Sequence, residues 1–424
     1  MSTEIEPAIK WYEEMVKGTA ETLSHSEGKR IAILTEIGRG EVARAIVLAA
    51  AHRMVYPADQ IVMVAHYDGT MPKYDMLVGV GLMGMIAEFI MAPTPGGTRL
   101  SRAELLVPLR ECFEVVYDAI PVPIGVYRRG AMTPKDVARL APSATVYYGY
   151  PRDNWRLAYS QEPWWEIMAQ TTGLKVSWRD LALAAPTICS PFPLQEELPP
   201  GADLQKLITA SGSADETDAE FAPRPYVVIH NSGGCASHNK IAPPALMAAI
   251  LEGLHNCGIE SVQVGTITDQ RIKGCSYKLG LRLPLTNRLI MDAVALIDVE
   301  GFLNYMAAGL NIRAAVFFGS TPPVLYGFPG NKNIIGTRCP ADSKTCFWGG
   351  GWTWGDGWGT ICAETPVPTS QGPRVVQRLN TILRNNPHYP YCANFPSPQQ
   401  AAEIVVPWVQ SLLFGGCVGQ PGKA

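Results

Sequence analysis

The sequence is poor in charged residues and has no excess of positive charge. Only 17% of its 424 residues are charged, and 47% are hydrophobic, whereas proteins on average contain about 25% charged residues. This composition excludes a disordered chain, because disordered segments have too little apolar material to form a core. The formal net charge of -3 offers no attraction to a polyanion, so the composition excludes a general nucleic-acid-binding protein.

Apolar runs long enough to cross a membrane are also missing. The longest uncharged run of the first half, Met76 to Ala87, contains three glycines and ends before Glu88, whereas a span needs about 18 apolar residues. Residues 1–14 carry four glutamates and no apolar block, which is unlike a secretory signal. We therefore expect a cytoplasmic protein without a transmembrane segment. Cytoplasmic thiols are kept reduced, so the ten cysteines do not predict disulfides. They predict buried thiols, some of which bind a metal.

Two stretches of alternating strand and helix patterns are separated by a polar segment. The first begins with a strand after Lys29, a glycine turn and a helix from Glu41 to Met54, and the second begins at Tyr226. We predict an N-terminal helical extension (1–28), two doubly wound α/β domains (29–190 and 225–395) and a linker rich in Pro, Gly, Ser and acidic residues (191–224). Ligands of such sheets bind beyond the carboxyl ends of the strands, so we expect the site in a cleft between the domains.

Two glycine-rich turns of the first half match dinucleotide-binding patterns. Residues 38–43 read Gly-x-Gly-x-x-Ala between a strand and a helix, and Asp68 ends the next strand, where an acid can meet a ribose. Residues 79–84 read Gly-x-Gly-x-x-Gly without that context. Both turns are equally compatible with a structural role. An NAD-dependent oxidoreductase is therefore one alternative function.

The first strand of the second half ends in a polar, small-residue turn. It contains His230, Asn231, Ser232 and Gly233, and Lys240 follows just ahead of the next helix. Small residues allow a ligand to approach the backbone, a helix N-terminus offers amide donors, and a lysine adds a point charge for phosphate. The alternative for Lys240 is an ordinary solvated loop lysine.

The most specific segment of the chain is 298–323. It resembles the second-domain signature of glycosyltransferase family 9, the heptosyltransferases, and the residues that match in register are Gly301, Ala307, Ala308, Phe318, Gly319, Thr321 and Pro323. The turn at Gly38 and the loop 230–240 also resemble that family, so the resemblance spans residues 30–335. Three positions depart from the family pattern: Glu41 replaces an aspartate, Val299-Glu300 replaces Asp-Ser, and Asn304 replaces a histidine.

The resemblance implies a GT-B fold in a bacterial enzyme, with the acceptor mainly on the first domain and a nucleoside-diphosphate sugar mainly on the second. It implies inverting sugar transfer, most simply of heptose from ADP-heptose, to a glycan, a lipopolysaccharide core or a protein hydroxyl. The nucleotide-sugar-binding candidates are His230, Asn231, Ser232, Gly233, Lys240, Glu300, Gly301 and Asn304. Because the signature departs from the family at Val299-Glu300 and at Asn304, a sugar-nucleotide-binding protein without activity is a second alternative.

Inverting transfer needs a carboxylate that takes the proton of the acceptor hydroxyl, and positive charge or amides for the leaving diphosphate. Two catalytic bases remain open: Glu41, at the family's catalytic turn, and Asp118, at the end of a predicted strand from Cys112. The sequence contains no Asp-x-Asp metal motif, and Asp298-Val-Glu300 belongs to the family signature. We therefore expect chemistry without a catalytic metal.

Four cysteines follow the signature, within an insertion at 337–392 that is rich in Trp and Gly: Cys339, Cys346, Cys362 and Cys392. They lack the Cys-x-x-Cys pairs of common zinc sites, but four thiolates suit structural iron or zinc. A looser resemblance to the iron-containing bacterial autotransporter heptosyltransferases implies the same set. Buried free thiols are the alternative, and a homo-oligomer stays open.

The last predicted helix begins at Ser397-Pro398, within the C-terminal segment 396–424. Ser397 is a good N-cap, and proline is favoured in the first turn. Ala401, Val405 and Trp408 lie on one apolar face. In the GT-B fold such a helix returns to the first domain, which we expect to bury that face.

Overall fold

The computed structural model describes residues 5–23, 28–35, 39–67, 88–93, 100, 102–119, 125–130, 162–185, 225–231, 241–267, 269–281, 283–319, 323–335 and 395–414. Contacts divide the chain into two units with one sheet each. The first consists largely of Met1–Pro186, and the second largely of Thr187–Pro323 together with the C-terminal helix.

The first sheet is doubly wound and mostly parallel. Its strands are β1 (Arg30–Thr35), β2 (Gln60–Tyr67), β3 (Glu88–Pro93), β4 (Val115–Asp118) and β5 (Gly125–Arg128). Their order is β3-β2-β1-β4-β5, and only β5 runs antiparallel to its neighbour. The strand β1 is a continuous buried run from Ile31 to Thr35, as expected where helices cover both faces of a parallel sheet.

Helices cover the two faces of the first sheet. They are α1 (Ile5–Thr22), α2 (Arg39–Val55), α3 (Arg102–Cys112), α4 (Trp164–Thr172) and a 3-10 helix (Trp178–Ala184). Ala32, Leu34 and Val116 pack with α1 and α3 in one core. Because successive side chains alternate between faces, Thr35 and Tyr117 belong to the opposite face.

On that opposite face, a buried polar network joins α2 to the sheet. His52 on α2 is 2% exposed; its Nδ1 lies 3.0 Å from the Tyr117 hydroxyl and its Nε2 lies 2.9 Å from Asp59 Oδ2. Burial raises the pKa of Tyr117 to about 12, so its hydroxyl keeps its proton and donates to Nδ1. Burial lowers the pKa of His52, although the hydrogen bond with Asp59 acts in the opposite direction. The neutral ring then donates from Nε2 to Asp59.

The second sheet is parallel throughout. Its strands are β6 (Tyr226–Ile229), β7 (Glu260–Gly265), β8 (Ser276–Leu279), β9 (Ala295–Val299), β10 (Ala314–Phe317) and β11 (Lys332–Ile334), in the order β11-β10-β9-β6-β7-β8. The helices of this unit are α5 (Pro244–Asn256), α6 (Leu283–Asp292), α7 (Phe302–Gly309) and α9 (Pro398–Phe414). A short helix, α8 (Pro323–Tyr326), follows β10.

The C-terminal helix α9 departs from its predicted position, because its apolar face packs in the second unit. Ala401, Val405 and Val409 are buried in one core with Leu246 and Ile250 of α5. The spacing of four residues on both helices allows their side-chain ridges to interlock. Gly253 of α5 leaves room for this packing, since a Cβ there would lie 2.7 Å from Val406 Cγ2. The apolar face of α9, which we expected to pack on the first domain, therefore packs against α5.

The structure confirms the α/β class and the main strand and helix alternation. Our sequence pattern also predicts a helix from Thr286 to Ala295; α6 instead ends at Asp292, because the fully buried strand β9 begins three residues later. The strand predicted from Cys112 begins only at Val115, since Cys112 ends α3.

The linker 191–224, the glycine turn 79–84 and the insertion 337–392 lie outside the described residues. Among the helices of the described ranges, none is both long and apolar enough to cross a bilayer.

Candidate functional site

Both sheets have a topological switch point, which is the place where the chain stops adding strands on one side of the first strand and continues on its other side. It lies between β1 and β4 in the first sheet and between β6 and β9 in the second. Open α/β sheets bind ligands at the carboxyl ends of the strands at such points. Six predicted site residues fall there: Glu41 and Asp118 in the first sheet, and His230, Asn231, Glu300 and Gly301 in the second.

His230 follows β6 and makes a short contact with the neighbouring strand. Its Nδ1 lies 2.8 Å from Asp298 Oδ1, and its side chain is 13% exposed. The same Oδ1 accepts a 2.8 Å hydrogen bond from the backbone N–H of Val299. Asp298 therefore joins the imidazole to the carboxyl end of β9, 68 residues further along the chain.

Asp298 is a fully buried carboxylate with one unused oxygen. Its Oδ2 is buried and has no hydrogen-bond partner. Burial raises the pKa of Asp298, while the charge and hydrogen bond of His230 and the Val299 N–H lower it. The charge of Glu300 adds to the rise. Such a buried carboxylate depends on its partner, since an uncompensated charge is costly in a protein interior.

A second carboxylate reaches His230 from the loop after β7. Asp269 Oδ2 lies 3.8 Å from His230 Nε2 and accepts a 2.8 Å bond from the Thr266 N–H. Asp269 Oδ1 accepts a 2.9 Å bond from the Thr266 hydroxyl. The end of β7 must be glycine here, because Gly265 has φ +147° and a Cβ would lie only 2.2 Å from Asp269 Oδ2 and 3.3 Å from His230 Cδ2.

Glu300, Gly301 and Asn231 surround the same switch point. Glu300 follows β9, is 5% exposed and donates its N–H to Phe317 O of β10. Gly301 is the N-cap of α7. Asn231 is 2% exposed, and its carbonyl accepts the N–H of Ala242. The structure thus brings His230, Asn231, Glu300 and Gly301 to one edge of the sheet.

Asn304 departs from this group. It is fully buried on α7, and its Oδ1 accepts a 3.1 Å bond from Asn331 Nδ2. Asn331 Oδ1 in turn accepts the N–H of Ala314, the first residue of β10. This chain of bonds links Asn304 to the amino end of β10.

The two candidate bases of the first unit have different surroundings. Glu41 lies in the first turn of α2 with 32% of its side chain exposed, and its Oε1 is 3.4 Å from Nη2 of the buried Arg44. Asp118 is the last residue of β4 and is fully buried. By strand alternation from Val116, it belongs to the face covered by α1 and α3, whereas Glu41 opens the helix on the other face. A substrate hydroxyl can reach Glu41 more readily.

Several predicted site residues lie outside the described residues. They are Gly38, Asp68, Ser232, Gly233, Lys240, Cys339, Cys346, Cys362 and Cys392. Within the described ranges, Cys112, Cys257 and Cys275 form no disulfide bond, and no cluster of three or more His, Cys, Asp or Glu side chains there is arranged to hold a metal.

Sequence reasoning missed the role of three residues at this edge. The signature contains Asp298 but does not indicate which residue it contacts. Asp269 and Gly265 lie in none of the motifs that the sequence shows. Their signal is structural: Gly265 ends a strand next to β6, and Asp269 follows four residues later. The edge thus holds two carboxylates on either side of one imidazole, and the charge of Glu300 acts on Asp298. Carboxylates accept hydrogen bonds from hydroxyl groups, so this arrangement suits a hydroxyl-rich ligand.

No protein-family model matches the chain, and no curated protein matches it in sequence. Similar solved structures include a family 9 glycosyltransferase from Veillonella parvula, with TM-score 0.46 and 12% identity over 92% of this chain and 98% of that one. The iron-containing dodecameric glycosyltransferase TibC from enterotoxigenic E. coli gives TM-score 0.46 and 9% identity over 92% of this chain and 76% of that one. The E. coli heptosyltransferase WaaC with ADP gives TM-score 0.40 and 14% identity over 72% and 92%.

Proposed function

We propose that this protein is a glycosyltransferase that moves a sugar from a nucleoside-diphosphate sugar to a hydroxyl acceptor with inversion at the anomeric carbon. One observation carries the proposal. The two segments that resemble the family signature, one at His230 and one at 298–301, meet at the switch point of the second sheet through the 2.8 Å contact between His230 and Asp298. A second carboxylate-bearing switch point is available in the first sheet, at Glu41.

The second unit is the proposed donor site. Glu300 is the carboxylate that we assign to hydroxyl groups of the ribose or the donor sugar, because it directly follows β9 at the carboxyl edge of the second sheet. Three carboxylates repel a diphosphate, so we assign the diphosphate to the 232–240 loop, where Ser232, Gly233 and Lys240 offer amides and a cation. The simplest donor is ADP-heptose, by the resemblance alone.

Glu41 is the proposed base. The carboxylate takes the proton of the acceptor hydroxyl while that oxygen attacks the anomeric carbon from the face opposite the leaving group. The bond between the anomeric carbon and the diphosphate oxygen breaks, and the diphosphate leaves with the electron pair. The contact with Arg44, 3.4 Å from Glu41 Oε1, would orient the carboxylate. The acceptor is a glycan, a lipopolysaccharide core or a protein.

Cys339, Cys346, Cys362 and Cys392 are proposed to bind one structural iron or zinc ion. Four protein ligands would leave no open position for substrate, so this metal would order the 337–392 insertion and take no part in sugar transfer. The same insertion is the proposed place for contacts in a homo-oligomer.

Ligand-dependent thermal stability tests the proposed donor directly. The full chain is heated with ADP-heptose, other ADP-sugars, UDP-sugars and NAD(P), each at a series of concentrations. A specific ligand at 100 times its dissociation constant stabilises the folded state by about 2.7 kcal/mol. We expect stabilisation by a nucleoside-diphosphate sugar, followed by release of the nucleoside diphosphate when candidate acceptors are added.

Two outcomes would contradict the proposal. Stabilisation by NAD(P) alone would favour an oxidoreductase that uses the 38–43 turn. Donor binding without nucleotide release, against glycan, lipopolysaccharide and protein acceptors, would favour a sugar-nucleotide-binding protein without activity.

A further inference from the structure

The turn between α2 and β2 exposes five consecutive uncharged residues, Met54 to Ala58. Met54 is 72% exposed, Val55 49% and Tyr56 47%. Exposed apolar residues are ordinary on a protein surface when they occur singly, whereas a contiguous group of them marks an interaction site. We call residues 54–58 the apolar turn.

The apolar turn lies at the amino edge of the first sheet, opposite the candidate site. It leads into Gln60, which begins β2 beside the first residue of β1, Arg30. Glu41 lies in the first turn of the 17-residue helix α2 and Met54 in its last, so about 20 Å separates them along the helix axis. A partner can therefore occupy the apolar turn while Glu41 stays open to an acceptor, whichever reaction the protein catalyses.

Hydrogen bonds and a buried ring hold the apolar turn in one shape. Arg53 Nη1 donates a 2.7 Å bond to Pro57 O, and the Asp59 N–H donates a 3.2 Å bond to Tyr56 O. The centre of the Tyr56 ring lies 5.0 Å from that of the buried His52. A preformed surface of this kind loses little conformational entropy when a partner covers it.

Three cations lie around the apolar turn. The charges of Lys29 and Arg53 act on His52, and the charge of Arg128 acts on Tyr117, whose hydroxyl lies 3.0 Å from the same histidine. Lys29 and Arg128 are exposed. Because the whole chain has a net charge of -3, this positive group is a local feature of the amino edge.

Two carboxylates near these cations are already used inside the protein. Asp59 is 7% exposed, and each of its oxygens lies 2.9 Å from a nitrogen of the chain. Glu114 pairs with both Arg30 and Arg129. Within the described residues, neither carboxylate forms an ion pair with the side chain of Lys29 or Arg128. The border of the apolar turn therefore carries positive charge that can attract an anionic partner.

An anionic bilayer fits this surface better than a second copy of the chain. In a symmetric pair the same patch meets itself, so the cations of one copy would face those of the other. The high exposure of Met54 also shows that the turn projects from the surface and does not line a groove. A bilayer surface accepts projecting apolar side chains, favours tyrosine at the level of the headgroups and attracts Lys and Arg through its anionic lipids.

We propose that the apolar turn and its three cations bind the protein reversibly to a bilayer that contains anionic lipids. Met54 and Val55 enter the boundary between headgroups and acyl chains, Tyr56 lies among the headgroups, and the cations contact lipid phosphates. Attachment is reversible because a single short insertion is a marginal anchor on its own.

Vesicle binding by the full chain tests this surface. The protein is sedimented with vesicles of phosphatidylcholine alone, or of phosphatidylcholine with phosphatidylglycerol, at low and at high salt. We expect binding to the anionic vesicles at low salt and its loss at high salt, because the screening length falls from about 10 Å at 0.1 M to about 3 Å at 1 M. Binding to neither vesicle, or equal binding to both, would overturn the proposal.

Two double variants separate the apolar contribution from the charged one. Met54→Gln with Val55→Thr removes the inserted side chains and should weaken binding at least about tenfold. Lys29→Gln with Arg128→Gln should weaken it about 25-fold, since each cation near an anionic bilayer contributes about fivefold. All four side chains are exposed, so the melting temperatures should change little. If the apolar double variant does not fold, Met54→Gln alone provides the same test.

Matched controls come from the second unit. Phe414→Gln removes an apolar residue that is 80% exposed, and Lys273→Gln removes an exposed cation; neither should change vesicle binding. Losses in these controls equal to those in the double variants would show that binding does not use the apolar turn. Stabilisation by a nucleotide sugar should be the same in every variant, so failure of the membrane surface and failure of the proposed function are measured separately.

A measurement without lipid distinguishes the bilayer from a second copy. Sedimentation equilibrium should give the same mass for the unmodified protein and for the variant with Met54→Gln and Val55→Thr. An oligomer that dissociates in this variant would assign the apolar turn to contacts between copies and overturn the proposal.

Discussion

Replacing Gly265 with alanine should damage the second-sheet site more than backbone strain alone can explain. Gly265 has φ +147°, and an added Cβ would lie 2.2 Å from Asp269 Oδ2. A non-glycine residue in this region of φ costs about 1–3 kcal/mol. Asp269 must also move away, which breaks hydrogen bonds from Thr266 to a charged group, each contributing about 1.5–3 kcal/mol.

Gly130 provides a control with nearly the same backbone angle. Its φ is +142°, and nothing lies within 4 Å of an added Cβ. Gly130→Ala should therefore lose only the strain of about 1–3 kcal/mol, while Gly265→Ala should lose at least about 1.5 kcal/mol more. In a unit of 150–250 residues, 1 kcal/mol shifts the melting temperature by about 2–4 °C.

The assay is the change in melting temperature of each variant, with and without nucleotide sugar. We expect Gly265→Ala to melt at least about 3 °C below Gly130→Ala and to lose most of the stabilisation by donor, whereas Gly130→Ala keeps it. Equal melting temperatures with intact donor stabilisation would refute the close packing of Asp269 against His230.

Four further predictions concern other residues. Glu41→Gln should lower turnover by about 10²–10⁴ with donor binding nearly intact, whereas Asp118→Asn should retain more turnover; full turnover in both would remove them as bases. Lys240→Ala should weaken nucleotide-diphosphate binding, and unchanged affinity would exclude that lysine from the site. Purified protein should contain about one equivalent of iron or zinc, lost in Cys362→Ser; metal-free protein with all four thiols alkylated in the native state would contradict this. Because burial lowers the pKa of His52, protonation favours unfolding, so stability should fall as pH drops below 6.5 by up to about 1.4 kcal/mol per pH unit. His52→Gln should remove that slope, and an unchanged slope would mean that other groups cause it.

Local patterns were sufficient to predict where Glu41 and His230 lie, because each directly follows a strand whose apolar run and glycine turn are visible in the sequence. They were not sufficient for Asp269, because its contact with His230 depends on the pairing of β7 with β6 and on the turn at Gly265. Asn304 shows the opposite case. It lies in the segment that resembles the family signature, but its buried amide oxygen accepts a hydrogen bond from Asn331, a partner 27 residues away that no local pattern indicates.

The same distinction applies to α9. The spacing of Ala401, Val405 and Trp408 predicts which side of the helix is buried, since one face of an amphipathic helix must be covered. It does not say which core covers it. That choice depends on the matching surface of α5 and on the gap at Gly253, and both are properties of two helices together.

The packing of α9 on α5 also determines when the second unit can finish folding during synthesis. Gln410 on α9 contacts Cys257, 153 residues earlier in the chain, and domains in general fold as units from the N-terminus as the ribosome extends the chain. The first unit's sheet can form early, but the apolar face of α5 stays uncovered until residues 401–409 have emerged. A nascent chain paused before Pro398 therefore lacks the helix that shares a core with Leu246 and Ile250, so chaperone binding or aggregation can act on the incomplete core in that interval.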